Sequence, residues 1–319
     1  MSTPAWQFYD VNEAYCELMT AQKHFTEWED TRNGRARVFK TPVMVTHHAP
    51  WHRVLFDPKR DANPFFHYME AIWMLAGAQN VDFPAKFASN IRQYSDDDVT
   101  LHGAYGYRWR GYFGIDQIQV VIGMLKDDPT TRRAVISMWA PNVDLGTSGL
   151  DLPCNTHIYF RVRDGRLCMT VCNRSNDLVW GMLGANIVHF SILQEYIAKA
   201  TGLITGELVQ FTNNLHIYEQ HMKEGSFSFA PDRWYSSNTV KSISFGPETL
   251  YADEARRFVE GTQTRDFSSP ILNRNAIPML EAWEKYKEHD ITGAIIQCEC
   301  IHDSDWRHGC QKWLQRRQK

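Results

Sequence analysis

The sequence predicts a single α+β domain, and three observations predict it. Strand-like and helix-like patterns are mixed without a regular strand–helix–strand rhythm. A strong two-residue turn signal joins two alternating segments into an antiparallel hairpin. No Ser/Gly/Pro-rich linker, internal repeat or low-complexity tract divides the 319 residues, so one domain over 1–319 is expected, ending in a divergent helical segment from about 275 to 319. Hydrophobic residues at 43% and charged residues at 22% suit a sizeable core. Aromatic residues at 13%, with eleven Trp, suit a packed interior or a site that stacks planar ligands.

The elements follow in order. "NPFFHYMEAIWMLAG" reads as an apolar helix with Asn63 as its cap, Pro64 at the first helical position and Gly77 at its end. Glu70 sits among Phe66, Ile72, Trp73 and Leu75, where a carboxylate needs a cleft or a partner. "HIYFRVR" alternates Ile158, Phe160 and Val162 with more polar residues, the period of a half-buried strand. Asp164-Gly165 then signals a tight turn, and "RLCMTVCNRS" is the return strand. From about Asn186 to Ala200 a helix is expected, with Phe190, Leu193 and Ile197 on one face. "GELVQFTNNLHIYEQH" is a strand running into a polar loop or helix start, and the last forty residues are helical and charged.

Composition removes several functional classes. A net charge of −3 argues against a general nucleic-acid or membrane-surface binder. An anionic small substrate would need local clusters of Arg. The N-terminus has no basic region followed by an apolar run, and no apolar stretch approaches the roughly 18 residues of a membrane span. Seven cysteines is an odd number in a chain that needs no staples, so free thiols and a reducing, cytoplasmic setting are expected. The "CECIHDSDWRHGC" segment gathers Cys298, Cys300, His302, His308 and Cys310, but its C-x-C spacing is too tight for an ordinary zinc knuckle and no metal is expected.

Several pieces carry possible chemistry. In "DLPCNTHIYF", Cys154 follows a proline that fixes the backbone, and Asn155 and Thr156 are polar where a core strand should be apolar. A reactive cysteine needs cations or donors beside it, and the hairpin can deliver Arg174. In "NRSND", Arg174 and Ser175 can hold a phosphate, because a guanidinium grips its oxygens bidentately and a hydroxyl adds a donor. Arg132 and Arg133 in "TTRRA" form a second candidate pair, and Arg32 in "DTRNGRAR" lies on a glycine-containing loop. Each of these arginine runs also fits a solvated face. His216 and Tyr218 share one face of an extended strand and can bond a sugar hydroxyl or be satisfied within the core. "AYGYRWR" is a plausible aromatic, basic ligand wall. Asn186 fits a helix cap, or an amide offering a ligand both a donor and an acceptor. Walker A and GxGxxG signatures are absent from the sequence.

Taken in order, "MEAIWMLAG", "YGYRWR", "DQIQVVIGMLKDDPTTRRAVISMW", "LPCNT", "DGRLCMTVCNRSND", "GANIVHFSIL" and "LHIYEQH" resemble the thymidylate synthase and pyrimidine-nucleotide hydroxymethylase superfamily, from about Arg32 to His221. The resemblance implies a mixed α+β domain on a large sheet packed by helices, dimerising through the sheet, that binds a nucleotide and a folate. It makes Cys154 the nucleophile that adds to C6 of a pyrimidine and activates C5 toward the methylene of 5,10-methylenetetrahydrofolate. It gives Glu70 a part in proton transfer near the ring carbonyl and the folate, Tyr105 in removing the C5 proton, and Asp177 in holding the pterin. Arg32, Arg174 and Ser175 would bind the 5′-phosphate with Arg132 and Arg133 of a second subunit, and His216 and Tyr218 the 3′-hydroxyl.

Three departures from the synthase pattern favour a hydroxymethyl product over a methyl one. Asn155 stands where synthases usually have His, and Asn176 where they commonly have Cys. "WLQRRQK" replaces the short apolar tail that synthases close over folate, and an incompletely closed site admits water. The alternatives are a true thymidylate synthase and, from another class, a non-catalytic nucleotide- or RNA-binding relative. Asn186 as base reader favours uracil, whereas an extra residue in "GMLGAN" could bring Ala185 into its place and leave cytosine open.

Overall fold

The computed structural model describes residues 4–222, 225, 227–228, 230–240, 243, 245, 248–261 and 266–318, so the first three residues of the N-terminal reading and the last of "WLQRRQK" lie outside the described residues. Eight strands form one sheet: β1 (Ala5–Phe8), β2 (Thr26–Thr31), β3 (Gly34–Phe39), β4 (Val43–His47), β5 (Val135–Ser137), β6 (Asn155–Arg163), β7 (Arg166–Asp177) and β8 (Ile204–Tyr218). The main order is β1-β4-β8-β7-β6-β5, and the β2–β3 hairpin joins the far end of β8 beyond β4. The sheet is mixed: β1 pairs parallel with β4, and β7 with β8.

The hairpin expected at Asp164-Gly165 is present. Both residues have positive φ, 50° and 70°, the type I′ geometry whose twist matches the flanking strands. A β-carbon is tolerated at Asp164, while glycine takes the second left-handed position without strain. The register that follows sets Asn155 opposite Asn173. Along β6, Ile158 and Phe160 point into the core while Tyr159 and Arg161 stay exposed.

The helix Pro64–Leu75 also forms as expected. Asn63 accepts the Phe66 N–H, and Gly77 beyond its end has φ 73°. The helix Asn186–Thr201 differs from the expectation of one apolar face, being buried nearly all round. It lies between the sheet and the helix Pro64–Leu75 and takes the chain from β7 to the parallel β8. This strand–helix–strand unit, which the antiparallel reading did not anticipate, is fixed to the sheet by Gln194, whose amide donates to the carbonyls of Leu167, Gly206 and Glu207. A buried ion pair also holds the helix: Arg53 Nη2 lies 2.5 Å from Glu195 Oε2, and Arg53 Nη1 donates to Ser191.

The C-terminal region is helical, with Ile277–Lys287, Ile291–Gln297 and Ser304–Gln315. Trp283 and Trp313 pack against Phe65 of the central helix, Tyr286 packs edge-on against Trp313, and one continuous hydrophobic core runs from Phe8 to Leu314. Cys298 and Cys310 are buried in this packing. Arg316 and Arg317 both clamp Asp61, at 2.8 and 2.7 Å, which ties the end of the helix Ser304–Gln315 down beside Arg60. None of the helices in the described residues is long and apolar enough to cross a membrane.

Candidate active site

One rim of the sheet collects most of the candidate residues. Cys154 immediately precedes β6, the end of β7 carries Arg174, Ser175 and Asp177, and the end of β8 carries His216 and Tyr218. Parallel pairing sets Ser175 beside Asn214 and Asp177 beside His216. His216 Nδ1 lies 3.2 Å from Asn214 Oδ1, and its ring packs edge-on against Tyr218. The tip of the β2–β3 hairpin approaches the same end, where Asn33 Nδ2 donates to Tyr218 Oη at 3.4 Å. Arg32 follows β2 at that tip, and its charge reaches the Cys154 thiol.

Cys154 and Arg174 are brought together as the hairpin register requires. The Arg174 N–H donates to the Cys154 carbonyl at 2.9 Å. Its guanidinium donates to the carbonyls of Pro153 and Leu152 at 3.0 and 3.1 Å, and Nη2 lies 4.0 Å from Cys154 Sγ. It also lies 5.4 Å above the Trp139 ring. Burial pushes the Cys154 thiol up, Arg174 and Arg32 draw it down, and Asp151 and Asp177 push it up further. Asp151 is a residue the sequence reading did not single out. It accepts the Gly103 N–H at 2.8 Å, and burial pushes its carboxyl up. Removing this carboxylate while keeping its shape should ease thiolate formation. Asp151→Asn is expected to speed alkylation of Cys154 at pH 8 by about 3- to 10-fold. An unchanged or slower rate, timed with iodoacetamide, would refute that electrostatic coupling.

Glu70 occupies the middle of a helix whose residues are all buried. Its Oε2 lies 2.9 Å from His189 Nε2 on the helix Asn186–Thr201, close enough for an ion pair but not aligned as a hydrogen bond. His189 is a second residue that sequence reasoning missed. The available signal was the same as for Glu70: an ionisable side chain inside an apolar helical run. Tyr105, at the start of the helix Tyr105–Arg110, accepts the Asn155 N–H at 3.3 Å and stacks on Phe190. Burial pushes its phenol up, with the negative charge of Cys154 adding to the effect, so it is a neutral hydroxyl at ordinary pH. Asn155 is fully buried, and its amide donates to the Cys172 carbonyl at 2.8 Å where the β6–β7 register shifts.

Asp177 ends β7 and caps the next segment, accepting from Val179 N at 2.7 Å and Trp180 N at 3.1 Å. That segment, Leu178–Ala185, is π-helical and runs without a break into the helix Asn186–Thr201. A π-turn absorbs an extra residue, so Asn186 lies inside the continuous helix and is not its cap. Its Nδ2 donates to Asn176 Oδ1 at 3.1 Å. Around Asp177 stand Trp180, which is 41% exposed, Arg60 stacked 4.5 Å above it, and His221, which accepts from the indole at 3.1 Å. A carboxylate beside an exposed indole suits a flat ligand carrying ring N–H donors. The fit to a pterin therefore rests on residues present here, although neither Arg60 nor Trp180 was a sequence-level candidate.

Arg132 and Arg133 lie apart from this rim. Both are exposed between the helix Gln117–Asp127 and β5, and among the described residues nothing joins them to Arg174. Among the described residues, the buried side-chain atoms without a hydrogen-bond partner include Glu70 Oε2, both His189 nitrogens, Asn155 Oδ1, Asn173 Nδ2 and Asn176 Nδ2, beside others elsewhere in the core. Such atoms are costly unless a site uses them.

Comparison with known proteins agrees with this geometry. The family model described as thymidylate synthase matches residues 59–229. A protein of Pseudomonas phage M6 named deoxyuridylate hydroxymethyltransferase is 39% identical over 306 residues, covering 90% of this chain and 87% of its own. Proteins of the same name are 38% identical in Bacillus phage SP01, over 56% of this chain and 49% of the relative, and 32% identical in Delftia phage PhiW-14, over 82% and 72%.

Proposed function

The chain belongs to the thymidylate synthase family and is a one-carbon transferase, and on that premise we propose that it hydroxymethylates C5 of deoxyuridylate with 5,10-methylenetetrahydrofolate as co-substrate. The observation that carries this reading is the likeness, over nine-tenths of the chain, to a protein named for that reaction, with Cys154 held under Arg174. Arg174, Ser175 and Arg32 take the 5′-phosphate, and His216 and Tyr218 the sugar hydroxyl. Asn186 reads the base, Asp177 holds the pterin, and Glu70 with His189 moves protons near the ring carbonyl.

The thiolate of Cys154 adds to C6, and the electron pair displaced onto C5 attacks the one-carbon unit supplied by the folate. The C5 proton leaves through a water held by the neutral Tyr105 hydroxyl. Tetrahydrofolate is expelled, water adds to the exocyclic methylene, and Cys154 departs. The balance is deoxyuridylate, methylenetetrahydrofolate and water in, and hydroxymethyl nucleotide and tetrahydrofolate out. Arg132 and Arg133 complete the phosphate site of a second copy in a dimer that buries the sheet face bearing Tyr159 and Arg161. Spectroscopy at the dihydrofolate absorption band is expected to show no signal during turnover. Stoichiometric dihydrofolate would instead make the enzyme a thymidylate synthase.

A further inference from the structure

We propose that Asn176 is a positioning residue that fixes the amide of Asn186 in one of its two orientations and thereby sets the choice of uracil over cytosine. An asparagine amide looks nearly the same to its surroundings after a half-turn, but the turn exchanges a donor for an acceptor. A reader free to turn would bond O4 and N3–H of uracil in one pose, and N3 and the amino group of cytosine in the other. Discrimination therefore needs something that holds the amide.

Asn176 has the required geometry. It is 2% exposed, Asn186 is 7% exposed, and Asn186 Nδ2 donates to Asn176 Oδ1 at 3.1 Å. Turning Asn186 alone would bring two acceptor oxygens together and forfeit the hydrogen bond in a buried place. Turning both amides is opposed by the close approach of Gly181. A β-carbon there would lie 2.1 Å from Asn176 Oδ1, so the π-helical turn closes directly on that oxygen. An NH2 group with its hydrogens is bulkier against the Gly181 backbone than a bare oxygen, which disfavours the turned pose. Asn176 is thus held oxygen-first and hands that orientation to Asn186. The remaining Nδ2 hydrogen and Oδ1 of Asn186 then face the base in the order that suits O4 and N3–H.

This inference rests on Asn186 as base reader, and the experiment separates the two. The quantity is the ratio of kcat/KM for dUMP to that for dCMP, measured at pH 8 in the wild type, Asn176→Ala, Asn176→Asp and Asn186→Ala. Loss of the fixing oxygen in Asn176→Ala is expected to lower the ratio at least about tenfold. Asn176→Asp, which keeps an acceptor oxygen at the same place, should retain most of it. A merely structural role would lower both substrates together and leave the ratio alone. A wild-type ratio in Asn176→Ala, or equal losses in Asn176→Ala and Asn176→Asp, overturns the proposal while the reader stands, provided Asn186→Ala lowers the ratio. An unchanged ratio in Asn186→Ala removes the reader and the positioning role together.

Discussion

A Cys154→Ser enzyme is expected to lose turnover on dUMP by a factor on the order of 10³ or more while still binding the nucleotide. A serine hydroxyl is far harder to ionise than a thiol, and the cations beside position 154 are too few to change that. The structure argues that this loss would be chemical and not structural. Among the described residues the hydrogen-bond contacts of Cys154 Sγ are long, 3.9 Å to the Leu152 carbonyl and 4.0 Å to Arg174, so the smaller oxygen disturbs little. A 5-fluoro nucleotide offers a second readout, because its C5 fluorine cannot leave as a proton and the covalent adduct persists. Denaturing mass spectrometry should find that adduct on the peptide containing Cys154 in the wild type and not in the variant. Full turnover by Cys154→Ser would refute covalent catalysis at this residue.

Arg174→Ala is expected to raise the KM for dUMP about 30- to 100-fold, some 2–3 kcal/mol, and to lower kcat as well. The two effects have separate causes. The first is the loss of the fork proposed to grip the phosphate bidentately. The second is the release of the Leu152 and Pro153 carbonyls that seat the Cys154 turn, together with loss of a charge that draws the thiol down. Deoxyuridine, which lacks the phosphate, separates them: on it the KM effect should largely vanish while the kcat effect remains. Arg174→Lys should recover the charge but not the fork, and so only part of the affinity. An unchanged KM for dUMP in Arg174→Ala would show that the phosphate sits elsewhere.

Much of this arrangement was legible in the sequence where local chemistry dictates geometry. Asp164-Gly165 fixes a turn, the turn fixes a register, and the register puts Arg174 beside Cys154. Asn63, Pro64 and Gly77 bound their helix for equally local reasons. Parallel pairing of β7 with β8, and of β1 with β4, was not legible, because partners distant along the chain are chosen by packing and not by the alternation within each strand. The extra residue before Asn186 showed in the sequence only as a doubt about register. In the structure that stretch is π-helical, and Asn186 lies against Asn176. Asp151, His189, Arg60 and Trp180 were passed over because each looks ordinary in its own segment. Their importance comes from neighbours such as Gly103, Glu70 and Asp177 that only the folded chain brings near.

If water is the last reactant, the oxygen of the product comes from solvent. Turnover of dUMP with methylenetetrahydrofolate in ¹⁸O-labelled water, followed by mass spectrometry of the nucleotide, should give a 5-hydroxymethyl product carrying the label, with tetrahydrofolate beside it. A 5-methyl nucleotide without the label, accompanied by dihydrofolate, would show instead that hydride and not water quenches the methylene.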